Sequence, residues 1–192
     1  MSARSRVRKM IVGLLLTGVF VDAWGLSATV DQPAGAADTD PCTRFTWEVS
    51  PERAAMQQTS RPVTAAVKPG VDVPRIEPAR LYEVQLADQG TVAFLANPGK
   101  PAPEDGAYAG LVRFRVATAG RYRVSISSSH WIDIVDGAQL LRSRDFQGQH
   151  GCQRPHKIVE YDLPTGRDLT LQFSGSTDAQ VLVVITTVRT AT

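Results

Sequence analysis

From Leu81 onward, apolar and polar residues alternate along the chain in short runs. "LYEVQLA" (Leu81–Ala87) and "TVAFLA" (Thr91–Ala96) stand on either side of "DQG", which predicts a hairpin. In "YAGLVRFRV" (Tyr108–Val116), Val112, Phe114 and Val116 fall on one face, and Arg113 and Arg115 on the other. In "RYRVSIS", Tyr122, Val124 and Ile126 oppose Arg121 and Arg123 in the same way. "WIDIV" (Trp131–Val135) and "AQLL" flank a turn at Asp136–Gly137. "KIVEYDL" (Lys157–Leu163), "DLTLQFS" (Asp168–Ser174) and "QVLVVITTV" (Gln180–Val188) follow. The last run is almost continuously apolar, which predicts a central strand. About nine such strands with turn residues between them predict an all-β protein, an antiparallel, jelly-roll-like sandwich. No helical period longer than a few turns follows residue 60, and strands do not alternate with helices, which excludes a parallel α/β sheet.

Ahead of the strands the pattern differs. Ser50 is a good N-cap, Pro51 suits a first helical position and Glu52 lies in the first turn, so a short helix is expected from Pro51 to Gln58. Phe45, Trp47, Val49 and Met56 are expected to pack it onto something larger, because so short a helix is unstable alone. From Thr59 to Pro78 four prolines break regular structure, which predicts a surface strap. The first ten residues carry Arg4, Arg6, Arg8 and Lys9, followed by the apolar run Met10–Val21 and then by small residues. This is the pattern of a signal peptide, with a cleavage site after Ala37 or an earlier one near Ala23 or Ala28. The run is too short for a bilayer, which takes about 20 apolar residues, so no membrane span is expected after cleavage. The expected organisation is a signal peptide over 1–37, a helix and Pro-rich strap over 38–79, and a β-sandwich domain over 80–192.

Charge removes one function class. The 192 residues hold 21 Lys and Arg against 19 Asp and Glu, for a formal charge of +2. Taking away the four basic residues of the leader alone turns it to −2, so no nucleic-acid partner is expected. The two cysteines that remain, Cys42 and Cys152, are expected to pair, since an exported chain meets an oxidising periplasmic or secreted environment.

"LVRFRVATAGRYRVSIS…WIDIVDG" and "YDLPTGRDLTLQFSG…VLVVITTV" resemble bacterial pre-peptidase C-terminal-type domains, secreted β-sandwiches with a repeated strand–turn–strand cadence. The resemblance runs from about Leu81 to Val188 and rests on structural motifs rather than on reactive residues. The N-terminal "CTRFTWEVSPERAAM" lies outside it and resembles the start of a small family of exported proteobacterial proteins. Short chains of that kind sometimes carry the label homogentisate 1,2-dioxygenase. The residues do not support that activity. A cupin-type dioxygenase spaces two ligand histidines one residue apart on a strand with a glutamate soon after, and such dioxygenases are far longer chains.

The chemistry on offer is sparse. His150, His156 and Glu160 are the one set that a metal-dependent, non-haem-iron-like enzyme could use, but Gly151 and Pro155 place the histidines in a loop and Glu160 on a strand. Zinc held by His150, Cys152 and His156 would lose a ligand on oxidation of Cys152. "SISSSHWIDIVD" lacks a nucleophile elbow, and adjacent Ser129 and His130 on a strand point to opposite faces. Arg113, Arg115, Arg121 and Arg123 are expected on the outer face of one hairpin, with Arg115 opposite Arg121 and Arg113 opposite Arg123. Like charges so opposed need carboxylates from a neighbouring strand, Glu160 and Asp162, or a bound anion. Trp131 is a candidate for stacking on a sugar ring, against the commoner role of packing in a core. The expectation is a secreted or periplasmic, non-catalytic binding or accessory domain that needs no cofactor. Its ligand is an envelope protein, a sugar or an anionic polymer, met through Arg113, Arg115, Arg121, Arg123 and Trp131. The alternative is the small metal enzyme of His150, His156 and Glu160.

Overall fold

The computed structural model describes residues 40–101 and 106–188. The expected signal peptide, residues 1–37, lies outside the described residues. A helix, α1 (Ser50–Met56), precedes eleven strands. They are β1 (Arg61–Thr64), β2 (Tyr82–Gln85), β3 (Ala87–Asp88), β4 (Tyr108–Phe114), β5 (Gly120–Ile126) and β6 (Trp131–Asp136), then β7 (Gln139–Leu141), β8 (Ser143–Gly148), β9 (Lys157–Leu163), β10 (Leu169–Ser176) and β11 (Gln180–Thr187). They form two sheets, one ordered β1-β2-β11-β5-β9-β8 and the other β3-β4-β10-β6-β7. All pairings are antiparallel except β1 with β2. The protein is an all-β sandwich with a short N-terminal helix.

The alternation read from the sequence sets the faces. Val84, Val124, Ile126, Val159, Val183 and Ile185 of the first sheet meet Val112, Phe114, Ile134, Leu171 and Phe173 of the second in one continuous core. Strand β11 is the central strand its composition implied. Val183 and Ile185 face the core, while Val184 packs outward against Ala55, Met56 and Leu81, so both faces are covered. Helix α1 therefore lies on the outer face of the first sheet.

Three expectations change. First, Arg113 and Arg115 do not share a hairpin with Arg121 and Arg123. Strand β4 belongs to one sheet and β5 to the other. The free edge of β4 is taken instead by β3 and by the Pro-rich strap, through bridges at Ala66–Leu111 and Arg75–Arg113. Second, the strap contributes β1, and Gly110 explains how closely it lies. A Cβ on Gly110 would sit 2.4 Å from the Cβ of Ala65, so only glycine admits the strap there. Third, Thr91–Ala96 is not a strand. Its backbone lies over the second sheet, where the buried Gln172 accepts from Leu95 N (2.8 Å) and Ala96 N (3.3 Å) and donates to Ala96 O (3.1 Å). One amide side chain thus satisfies the groups that a ladder would have used. Strand β8, polar and mostly exposed, carried no alternation by which the sequence could reveal it.

Candidate functional site

Arg123 sits on the outer face of β5, where its side chain is only 12% exposed. It donates to Glu48 O (2.8 Å), to Glu52 Oε1 (3.4 Å) on α1 and to Glu160 Oε2 (3.2 Å) on β9, and it stacks 4.5 Å from the ring of Trp47. Glu160 also takes Arg121 at 3.4 Å, Arg121 approaches Asp162, and Asp162 takes Arg144. Acid and base alternate from Glu52 to Arg144, three of each, so this network carries no surplus charge. The carboxylates of the neighbouring strand do offset Arg121 and Arg123, and α1 covers the latter. Glu52 Oε1 also accepts from Thr186 Oγ1 (3.0 Å), while its Oε2 is buried without a partner.

On the other sheet Arg113 donates to the strap carbonyls of Val73 (3.0 Å) and Val71 (2.9 Å). Arg115 and Arg75 share Asp168, whose carboxyl they hold below the usual range through hydrogen bonds and charge. The four arginines therefore sit in two groups on opposite sides of the sandwich, each engaged within the fold.

A disulfide joins Cys42 to Cys152, with Cα atoms 5.0 Å apart, and ties the N-terminal segment to the loop before β9. In that loop the rings of His150 and His156 meet edge-on at 6.2 Å, and His156 Nδ1 lies 3.2 Å from Cys152 O. Glu160 does not join them, being held by two arginines on the outer face. Among the described residues, no group of three or more His, Cys, Asp or Glu side chains is placed to hold a metal ion.

The third histidine is wholly buried. His130 Nδ1 lies 2.6 Å from Ser128 Oγ, its ring packs edge-on to Phe173, and Nε2 has no partner. Burial drives its pKa down to about 4, so it is neutral at pH 7. Ser127–His130 form the connection between β5 and β6 and not the strand expected, and that connection brings Ser128 to the His130 ring. Ser128 is itself buried, so no substrate reaches the pair.

The most site-like feature is a cleft of about 90 Å³ at one open edge of the sandwich, between β6–β7 of one sheet and β8–β9 of the other. A single water needs roughly 10–15 Å³ on this measure, so the cleft has room for a ring-sized group. Ile132, Val159 and Tyr161 are buried at its base; Trp131 is 38% and Phe146 66% exposed at its rim. The register places Phe146 beside Val159, on the inward face of an edge strand with no third strand to cover it. Asp133 accepts from Trp131 Nε1 (3.0 Å) and Gly99 N (3.0 Å), which fixes the indole. Gly99 packs so close that a Cβ there would lie 2.7 Å from Trp131 Nε1. Tyr161 donates to Ile132 O (3.1 Å), and its burial raises its pKa. Lys157 completes the lining; burial and the like charge of Lys100 lower its pKa to about 8.

Of the residues singled out in the sequence, Trp131 alone lines this cleft. Phe146 and Lys157 were missed. A signal for Lys157 did exist, since it keeps inward phase with Val159, Tyr161 and Leu163. Phe146 stood alone between charged residues with no pattern around it. No family model matches the chain, and no curated protein matches it.

Proposed function

We propose that the protein is an exported, non-catalytic binding domain of the periplasm or extracellular space, and that its ligand seat is the edge cleft. The observation that carries this reading is the pair of large aromatic side chains, Trp131 and Phe146, left accessible over an apolar base in a fold whose other large side chains are mostly buried. Aromatic faces beside fixed polar groups suit a ring-shaped ligand such as a sugar unit of an envelope polymer. The leader-like first 37 residues and the Cys42–Cys152 bridge support export, and the strand–turn–strand cadence supports kinship with pre-peptidase C-terminal-type domains. Among the described residues no helix is long and apolar enough to cross a membrane. The arginine groups, which are internally engaged, support a binding role less than the cleft does.

Titration of the disulfide-bonded protein with envelope polysaccharide fragments, followed by tryptophan fluorescence and amide NMR, tests the reading. Shifts confined to residues 131–133, 141–146 and 157–161, and at least tenfold weaker binding by Trp131→Ala and Phe146→Ala, are expected. Binding that ignores both substitutions would place the ligand elsewhere.

A further inference from the structure

Lys157 is a half-buried cation with no ion-pair partner among the described residues. Arg53, Arg75, Arg80, Arg115, Arg121, Arg123, Arg144 and Arg167 each lie within 4 Å of a carboxylate. Of the other described cations, Arg113 is half-buried and is held by the strap carbonyls of Val73 and Val71, while Arg44, Arg61, Lys68, Lys100, Arg142 and Arg154 are exposed. Lys157 is half-buried on the inward face of β9, opposite Ile126. Its ammonium donates to the backbone carbonyls of His130 and of Ser129 (3.4 Å), and no carboxylate of the described residues reaches it. Asp133, on the same cleft, gives both oxygens to N–H donors instead. The positive charge of Lys100 also acts on it. A half-buried ammonium bonded only to neutral groups retains its desolvation cost without a counter-charge.

One more unpaired cation adjoins the cleft. Ser143, at the cleft rim, also borders an adjoining hollow lined by Arg142, Arg144 and Asp162. Arg144 is paired with Asp162, whereas Arg142 has no ion-pair partner among the described residues. The edge itself resists an added peptide strand. Strand β8 has a register shift between Ser143 and Asp145, charged side chains at Arg144 and Asp145, and the Asp145 carboxylate on Phe146 N (2.8 Å). What enters the cleft is therefore a side group or ring, not an extended backbone.

We propose that the cleft binds a ring bearing a carboxylate, with the ring against Trp131 and Phe146 and the carboxylate on the Lys157 ammonium. This rests on the reading of the cleft as the ligand seat and adds the charge of the ligand. A sugar acid and an aromatic acid share this chemistry. The indole, 5.9 Å from the ammonium, supplies a face for either, and the ion pair supplies the selection against their neutral counterparts.

The test is amide NMR on the full disulfide-bonded chain at pH 6.5, with glucuronate against glucose and benzoate against benzyl alcohol. The acids are expected to shift the amides of residues 131–133, 143–146 and 157–161 at least tenfold more tightly than the neutral compounds. Lys157→Met should abolish that preference and Lys157→Arg should retain it. Tighter binding of glucuronate assigns a sugar acid; tighter binding of benzoate assigns an aromatic acid. Equal binding of acid and neutral forms, or an acid preference that survives in Lys157→Met, overturns the assignment of charge and leaves the cleft as a seat for neutral rings. No cleft shift with any of the four compounds at millimolar concentration overturns both. Should Lys157→Met fail to fold, the comparison of acid with neutral ligand on the unaltered protein decides alone.

Discussion

Arg123 bonds to the chain before α1, to α1 itself and to β9, and it does so in a nearly dry setting. A buried ion pair stabilises little by its presence, yet breaking one leaves the remaining charge without compensation. Arg123→Met leaves Glu160 with Arg121 alone and Glu52 with Thr186. The expected loss is about 3–5 kcal/mol, read from urea denaturation at pH 7. A loss below 1 kcal/mol would show that water reaches these carboxylates. His130 gives the fold a pH dependence. Its pKa is about 4 when folded and near 6.5 when unfolded, so the unfolded chain binds the extra proton between those values. The contribution to stability is present in full above pH 6.5 and falls away as the pH drops towards 4. It amounts to a loss on the order of 3 kcal/mol. His130→Phe should flatten that part of the stability–pH curve, and an unchanged slope would assign the acid sensitivity to the carboxylates.

Helix α1 spans seven residues and buries Glu52, Ala55 and Met56. Such a length is far below what holds a helix in water, so the sheet and its tethers hold this one. Its start was legible to within a residue. Ser50 begins the helix rather than capping it, and the carboxylate of Glu48 accepts from Ser50 N (3.0 Å) in place of a cap side chain. The Cys42–Cys152 bridge closes a span of 110 residues. In the chain-entropy account a loop of that size stabilises by about 4–5 kcal/mol. The double substitution Cys42→Ser, Cys152→Ser should lower the stability by up to that amount. It should also raise amide exchange first in residues 41–56, with β5, β10 and β11 still protected. Uniform exchange across the molecule would show that the tether supports the whole sandwich and not only the N-terminal layer. The strap and the Thr91–Ala96 segment teach the converse at the same scale. A Pro-rich stretch became an edge strand because β2 offered it a parallel partner, and an alternating stretch became a loop because Gln172 occupied its amides.

Across the whole molecule the sheets cover each other in the middle and part at the β7–β8 edge, and that parting makes the cleft. Period-two alternation determined that the protein is a sandwich, which residues of most strands face inward, and that β11 is central, because burial on a pleated strand is a local property of successive side chains. The chain has only two cysteines, and their expected pairing is the disulfide observed. Which strands are neighbours was not local. "LVRFRVATAGRYRVS" reads as a hairpin at every position, and only the competing edges of β3, β9 and the strap send its two halves to different sheets. With that separation the single arginine face dissolved into two engaged groups. The cleft was hidden for a related reason. Trp131, Phe146 and Lys157 lie on three strands of two sheets. No spacing along the chain records how far two sheets splay at an edge, because that distance is fixed by the packing of both cores at once.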